Sequence, residues 1–173
     1  GAIADASGPR KPWIAVFGAL LVVGSSLMWI GTPGDPKVIV PLLVAYGIAT
    51  VGVEFATVFN NAMMPTLVPP ERIGRLSGTG WATGYIGGLL SLVLTLGFLA
   101  ADPGTGKTLL GFKPLFGLDP ATHEGDRITG PLTGLWFVVF VLPMFLFTPD
   151  RASKLPVPAA VPRGPHPSPP PPP

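Results

Sequence analysis

The stretch "VGVEFATVFNNAMMP", residues 51–65, holds one carboxylate, Glu54, and two asparagines in a segment that is otherwise nearly free of polar groups. Residues 38–68 around it carry no other charge. They are long enough to cross a bilayer, whose hydrocarbon core of about 30 Å takes about 20 helical residues. An acidic side chain costs about 2.5–3.5 kcal/mol at the centre of such a helix. Glu54 is therefore a candidate for a buried partner or for a function.

Three further stretches, residues 13–30, 76–100 and 131–148, are apolar and contain no charged side chain at all. Only 12% of the chain is charged and 47% is hydrophobic, whereas a soluble domain carries about 25% charge. We predict an all-α membrane protein with four transmembrane helices, surrounded by a lipid bilayer. The net charge of +2 gives no reason to expect nucleic acid. With no cysteine and two scattered histidines, we predict no metal site, no cofactor and no enzymatic activity.

The positive-inside rule gives the orientation of the four spans. Seven of the 11 Lys and Arg residues lie before the first span, between the second and third, or after the fourth. The other four lie in the two remaining loops. We therefore expect the N-terminus and the C-terminal tail to be cytoplasmic.

The second span carries a polar stripe along one helical face. At 100° per residue, five polar side chains share an arc of about 80°, and a sixth, Asn60, lies at its edge. The stripe consists of Tyr46, Thr50, Glu54, Thr57, Asn60 and Asn61. Such a face avoids lipid, so it should face other helices or a watery cavity. Two interpretations stay open: Glu54 joins helices through a hydrogen bond or ion pair, or it lines a substrate or proton path.

The third span presents a glycine face with overlapping small-xxx-small spacings. We predict that it packs tightly against a neighbouring helix, because small residues let two backbones approach. The face consists of Gly80, Gly84, Gly87 and Gly88.

Residues 101–108, "ADPGTGKT", fit a relaxed phosphate-loop pattern. A phosphate loop needs a strand before it and a helix N-terminus after it. Here a membrane helix precedes the motif, and a segment broken by Gly and Pro follows. We consider nucleotide binding unlikely and predict a turn with a solvated lysine.

Two stretches carry a family resemblance. "GAIADASGPRKPW", residues 1–13, resembles the signature loop of the major facilitator superfamily through Gly1, Asp5, Gly8, Arg10 and Lys11. "FNNAMMPTLVPPERIGRLSGTGWATGYIGG", residues 59–88, and "LWFVVFVLPMFLF", residues 135–147, resemble the branch related to the fungal vacuolar amino-acid effluxers of autophagy and their bacterial relatives.

The resemblance implies a secondary active transporter that moves a small solute, with amino acids suggested, by alternating access. Residues 1–149 would be a partial N-terminal half, with the spans as about the third to sixth of twelve helices. The cytoplasmic gate would comprise Asp5, Gly8, Arg10 and Lys11, with Asp5 capping a neighbouring helix end. The membrane would be a bacterial inner membrane or a vacuolar-type one. The chain opens with Gly1, and we expect a fragment whose remaining transporter helices lie elsewhere.

Residues 150–173 form a Pro-rich tail that we expect to be disordered and cytoplasmic. The tail supports an alternative function, a non-transporting four-span membrane scaffold that recruits partners through proline recognition. Deletion of residues 155–173 separates the two possibilities, because a scaffold would lose its partner and a transporter segment would lose little.

Overall fold

The structure, a computed structural model, describes residues 9–150 and is built almost entirely of helices. The predicted gate residues Asp5 and Gly8 and the tail beyond Asp150 lie outside this range. The helices are α1 (Lys11–Leu27), α2 (Ile39–Leu67), α3 (Pro70–Leu94), the short α4 (Glu124–Arg127) and α5 (Thr129–Phe147). Short 3-10 turns, Met28–Ile30 and Pro36–Val38, end α1 and precede α2, and a π turn, Thr95–Leu99, continues α3.

Four helical segments are long and apolar enough to cross a membrane: Lys11–Ile30, Pro36–Leu67, Pro70–Leu99 and Glu124–Phe147. The prediction of an all-α membrane protein with four transmembrane helices is therefore confirmed. Large apolar side chains point outward on every span, and Val40 on α2 and Phe147 on α5 are 68% and 81% exposed. A helix that is apolar on all sides is suited to lipid rather than to water.

Proline residues mark several of the helix ends. Pro12 and Pro70 stand in the first turns of α1 and α3, where a missing N–H costs nothing. Pro65 lies inside α2, which ends two residues later at Leu67. The predicted third span began at residue 76, whereas α3 begins at Pro70. The difference arises because the first turns of α3 carry Glu71, Arg72 and Arg75, charges suited to a helix end outside the hydrocarbon.

The central element is α1, against which both α2 and α5 pack. The approach of α2 is close because Gly24 faces the backbone of Ala45 and Ala49, and Gly52 faces the backbone of Leu21. A methyl group on Gly24 would lie 2.6 Å from the Ala49 nitrogen, so only glycine fits there. Small residues thus hold α1 and α2 together.

The α3 helix stands apart from this bundle. None of its residues is buried, and it makes no extensive contact with α1 or α5. At its C-terminal end the π turn supplies buried residues, Thr95, Gly97 and Leu99, on which α4 packs. The two ends of α3 are thus joined to the rest of the chain, whereas the surface along its middle is uncovered.

Candidate functional site

The polar stripe lies on a continuous helix and points away from α1. The α2 residues buried against α1 include Ala49, Gly52 and Ala56, which lie about 100–160° around the helix from Thr50. Five of the six stripe residues are exposed: Tyr46, which is 58% exposed, Glu54, Thr57, Asn60 and Asn61. The sixth, Thr50, is half-buried. The stripe is therefore not used to join α2 to the helices it packs on.

A groove of about 270 Å³ opens beside the stripe, between α2 and α5. Its floor is Ile14 of α1, which is only 2% exposed. The α2 wall contains Thr57 and Asn60 and the α5 wall is apolar; the lining residues are Ile14, Val53, Ala56, Thr57, Asn60, Phe137, Phe140, Val141 and Met144. Two predicted path residues, Thr57 and Asn60, therefore line a concave surface between the spans.

Glu54 is not among the residues that line this groove. It precedes the lining residue Thr57 by three positions on α2, a spacing that brings side chains within about 5–6 Å at their Cβ atoms. About 20 Å of helix separate Glu54 from the end of α2 at Leu67, since 13 residues rise 1.5 Å each. The carboxylate is therefore near the middle of a membrane-spanning helix.

The polar groups of the groove have no partner within residues 9–150. Thr50 donates its hydroxyl to the Tyr46 carbonyl at 2.9 Å, which satisfies it within the helix. In contrast, no hydrogen bond or ion pair from the described part of the chain reaches Glu54, Thr57 or Asn60. Polar atoms in a span are normally satisfied by protein or by water. These three side chains are thus available to a ligand, to water or to further helices.

Arg10 and Lys11, predicted to belong to a cytoplasmic gate, contact a carboxylate that the sequence analysis did not single out. The Arg10 and Lys11 backbone N–H groups donate to Asp150 Oδ1 and Oδ2 at 3.0 and 2.8 Å. In return Lys11 Nζ donates to the Phe145 carbonyl, in the last turn of α5, at 2.8 Å. Asp150 therefore caps the N-terminus of α1, and Lys11 caps the C-terminus of α5.

The opposite end of α1 is held by Arg127. Its Nε and Nη2 donate to the Trp29 carbonyl at 2.8 and 2.5 Å, and its guanidinium carbon lies 4.7 Å from the centre of the Trp29 ring. A cation at a helix C-terminus complements the helix dipole. Both ends of α1 are therefore bound by charged side chains that flank α5: Arg127, at the end of α4, and Asp150, three residues after α5.

The predicted glycine face of α3 has no neighbour in this part of the molecule. No atom of another element lies within 4 Å of a methyl group placed on Gly80, Gly84, Gly87 or Gly88. Helix packing at these glycines stays a prediction that concerns helices outside residues 9–150.

Residues 101–108 form a turn closed by an antiparallel bridge between Ala101 and Thr108. The Asp102 carboxylate accepts from the backbone N–H groups of Gly104 and Thr105 at 2.9 and 2.8 Å. Residues 101–108 are therefore a turn with an exposed Lys107, as predicted, and no helix begins within them. The backbone hydrogen bond from Thr105, followed by its hydroxyl, lowers the pKa of Asp102.

Sequence reasoning missed the two charges that hold α1 and the small residues that pack α2 on it. Asp150 could have been found as an acid directly after the last span, on the same predicted side as Arg10 and Lys11. Ala45, Ala49, Gly52 and Ala56 follow a helical spacing. This pattern was hidden because alanine does not stand out in an apolar span.

The helices, the outward apolar surface and the groove define a multi-pass membrane protein with a partly open polar face. The chain is similar to the uncharacterized MFS-type transporter YxiO of Bacillus subtilis (strain 168), with 24% identity over 152 residues. The similarity covers 87% of this chain and 32% of the relative, so the chain spans about a third of the length of the curated relative it matches. No family model matches the chain. No solved structure matches it.

Proposed function

We propose that this chain is a segment of a secondary active transporter that moves a small solute across a membrane by alternating access. The observation that carries the proposal is Glu54, a carboxylate near the middle of a membrane-spanning helix, without a charged partner in residues 9–150 and beside an open groove. An intramembrane acid of this kind is expected to serve a transport or proton path. The similarity to an MFS-type transporter supports the same class.

In this proposal the stripe on α2 lines the path, and the rest of the wall comes from helices of a longer polypeptide. Secondary transporters bind their solute near the midplane, between repeats of helices. The uncovered stripe and the uncovered middle of α3 are suited to such neighbours. Residues 1–149 would then supply about the third to sixth helices, with the glycine face of α3 packed against a helix of the remainder.

The proposed gate lies at the cytoplasmic end of α1 and includes Arg10, Lys11, Asp5 and Gly8. The Asp150 carboxylate supports this assignment, because it accepts hydrogen bonds from the backbone N–H groups of Arg10 and Lys11. The finer assignment is a relative of the fungal vacuolar amino-acid effluxers and their bacterial counterparts. It rests on the resemblance of residues 59–88 and 135–147, and it makes amino acids the first solutes to test.

The test uses the natural longer polypeptide, reconstituted in liposomes and assayed with radiolabelled amino acids over a series of pH values. We expect Glu54→Gln to abolish pH-dependent uptake while expression and insertion stay normal, because glutamine keeps the shape but cannot exchange a proton. Glu71→Gln, at the exposed start of α3, is the matched control and should transport normally. Uptake by Glu54→Gln that equals the wild type at every pH would remove Glu54 from the mechanism.

A further inference from the structure

We propose that residues 107–118, which follow the third span, lie on the membrane surface as an interfacial loop, with apolar side chains in the hydrocarbon and two lysines among the lipid headgroups. The loop lies outside the four membrane-spanning segments, so this contact with lipid is additional to theirs. The inference uses neither the groove nor Glu54, and it goes beyond the proposed function.

The loop exposes a group of large apolar side chains. Their exposed fractions run from 48% for Leu115 to 88% for Phe116. We call the five residues the loop patch: Leu109, Leu110, Phe112, Leu115 and Phe116. An apolar patch of several neighbouring large side chains marks a surface that contacts a protein or a membrane. The position of the patch decides between these two.

Contacts with the last turn of the third span place the patch at the membrane boundary. The Leu109 N–H donates to the Leu96 carbonyl at 3.0 Å, and the Phe112 ring stacks on Phe98 with 6.0 Å between the ring centres. Leu96 and Phe98 belong to the π turn that ends the membrane-spanning segment Pro70–Leu99. The end of a span lies where hydrocarbon meets the lipid headgroups. The loop patch therefore begins at that level.

A tight turn keeps the patch at this level. The Thr108 N–H donates to the Phe112 carbonyl at 2.9 Å, and the Gly111 N–H donates to the Thr108 carbonyl at 2.8 Å. Leu110, at the tip of the turn, covers Gly97, where a methyl group would lie 3.0 Å from its Cδ1 atom. The turn is thus folded back onto the span end, and its apolar side chains continue the lipid-facing surface of the third span.

The charge of the loop favours lipid as its partner. Residues 107–118 contain Lys107 and Lys113, both exposed, and no acidic residue. The alkyl chain of lysine lets its ammonium group reach the headgroups while neighbouring apolar side chains stay in hydrocarbon. Lysine next to leucine and phenylalanine is typical of segments that lie in the membrane interface. Lipid phosphates supply a counter-charge to both lysines, and anionic lipids attract them most strongly.

The test measures the depth of the loop in the bilayer with spin labels. The chain contains no cysteine, so Leu115→Cys and Phe116→Cys each create one labelling site in the 173-residue chain. Thr105→Cys, in the exposed polar turn before the loop, is the matched control. In nanodiscs of phosphatidylcholine and anionic phosphatidylglycerol, oxygen dissolved in hydrocarbon should relax the labels at 115 and 116 more than a water-soluble nickel chelate does. Labels at 115 and 116 that respond like the control would overturn the proposal.

A lysine variant tests the headgroup contact. For the label at residue 116, the ratio of buried to water-exposed label should rise when phosphatidylglycerol is added to phosphatidylcholine, by up to about fivefold for each lysine. Lys107→Gln combined with Lys113→Gln should abolish that rise, whereas Lys37→Gln, in the turn before α2, should not. All variants are first required to retain the helical circular dichroism of the wild type. An undiminished rise in the double variant would contradict the contact of these lysines with headgroups.

The longer polypeptide distinguishes lipid from protein as the partner of the patch. A fluorescent label at residue 116 should be quenched by lipids that carry a nitroxide on the acyl chain, both in the 173-residue chain and in the longer polypeptide. If the label is quenched in the shorter chain and shielded in the longer one, a protein segment covers the patch and the proposal is wrong. If it is quenched in both and the longer polypeptide transports nothing, the interfacial loop stands and the proposed function is wrong.

Discussion

At the scale of single residues, the charges at the helix ends do more to organise the bundle than the charge inside it. Asp150 accepts two backbone N–H groups at the start of α1, and Arg127 donates twice to one carbonyl at its end. These contacts satisfy backbone groups that a helix leaves unpaired. Glu54 has no such role within the described residues, which is why it is the better candidate for a ligand.

Replacement of Asp150 should loosen the N-terminal end of α1. Asp150→Ala removes an N-terminal cap, a change that costs about 0.5–2 kcal/mol in other helices, and Asp150→Asn should cost less because one acceptor oxygen remains. The free energy of unfolding in mixed micelles, followed by circular dichroism, measures both. Asp35→Ala is the control, since Asp35 caps only the short turn before α2. If Asp35→Ala lowered the free energy of unfolding by as much as Asp150→Ala, the Asp150 cap would contribute no more to stability than the Asp35 cap.

The turn at residues 101–108 should open in acid. Hydrogen bonds to the Asp102 carboxylate, first from the Thr105 backbone, lower its pKa, so the turn is stabilised above the ordinary Asp pKa of about 3.9. That stabilisation is lost as the pH falls through the lowered pKa. Exchange of the Gly104 and Thr105 amide protons should therefore accelerate in that range. In Asp102→Asn the exchange of these two amide protons should no longer accelerate in that pH range. If it still did, another titrating group would be responsible.

At the scale of elements, the four spans could be predicted because each is a long apolar run bounded by Gly, Pro or charge. Their partners could not, since close packing depends on which small residues two helices present to each other. The glycines on α3 formed the most visible pattern and are uncovered, whereas Gly24 and Gly52, each single in its surroundings, lie against the backbone of the facing helix. The polar stripe was predictable from helical spacing alone, but the groove beside it depends on the position of α5.

The two kinds of glycine should respond differently to alanine. Gly24→Ala places a methyl group 2.6 Å from the Ala49 nitrogen and should cost about 1–3 kcal/mol through overpacking. Gly84→Ala meets open space and should be neutral or stabilise α3 by up to about 1 kcal/mol through helix propensity. Unfolding of the two variants in the same micelles provides the comparison. A cost at Gly84 as large as that at Gly24 would mean that α3 is packed in this chain after all.

At the scale of the whole molecule, α1, α2 and α5 form a bundle, while α3 is joined to it only at its ends. The chain corresponds to about a third of its MFS-type relative. The uncovered faces of α2 and α3 are consistent with neighbours supplied by a longer polypeptide. Charge and hydropathy indicated a multi-pass membrane protein, but which faces remain uncovered required the arrangement of the helices.

A bulky residue on α3 distinguishes the isolated chain from the longer polypeptide. Gly84→Leu should leave the stability of the 173-residue chain within about 0.5 kcal/mol of the wild type, as at other surface positions. In the longer polypeptide it should destabilise the protein, because a helix packed on the glycine face would be pushed away. Thermal unfolding of both forms in detergent is the measurement. An unchanged longer polypeptide would refute helix packing at this face.

The uncovered middle of α3 has a consequence for biogenesis. A helix that forms all of its backbone hydrogen bonds internally is stable in the bilayer as a separate unit before it packs against other helices. Because the glycines of α3 have no side chains, little lipid has to be displaced when another helix packs on them. The connections at both ends of α3 keep it near the other three spans. If a helix outside residues 9–150 covers the glycine face, α1, α2 and α5 would assemble first, and α3 would join them once that helix has been synthesised.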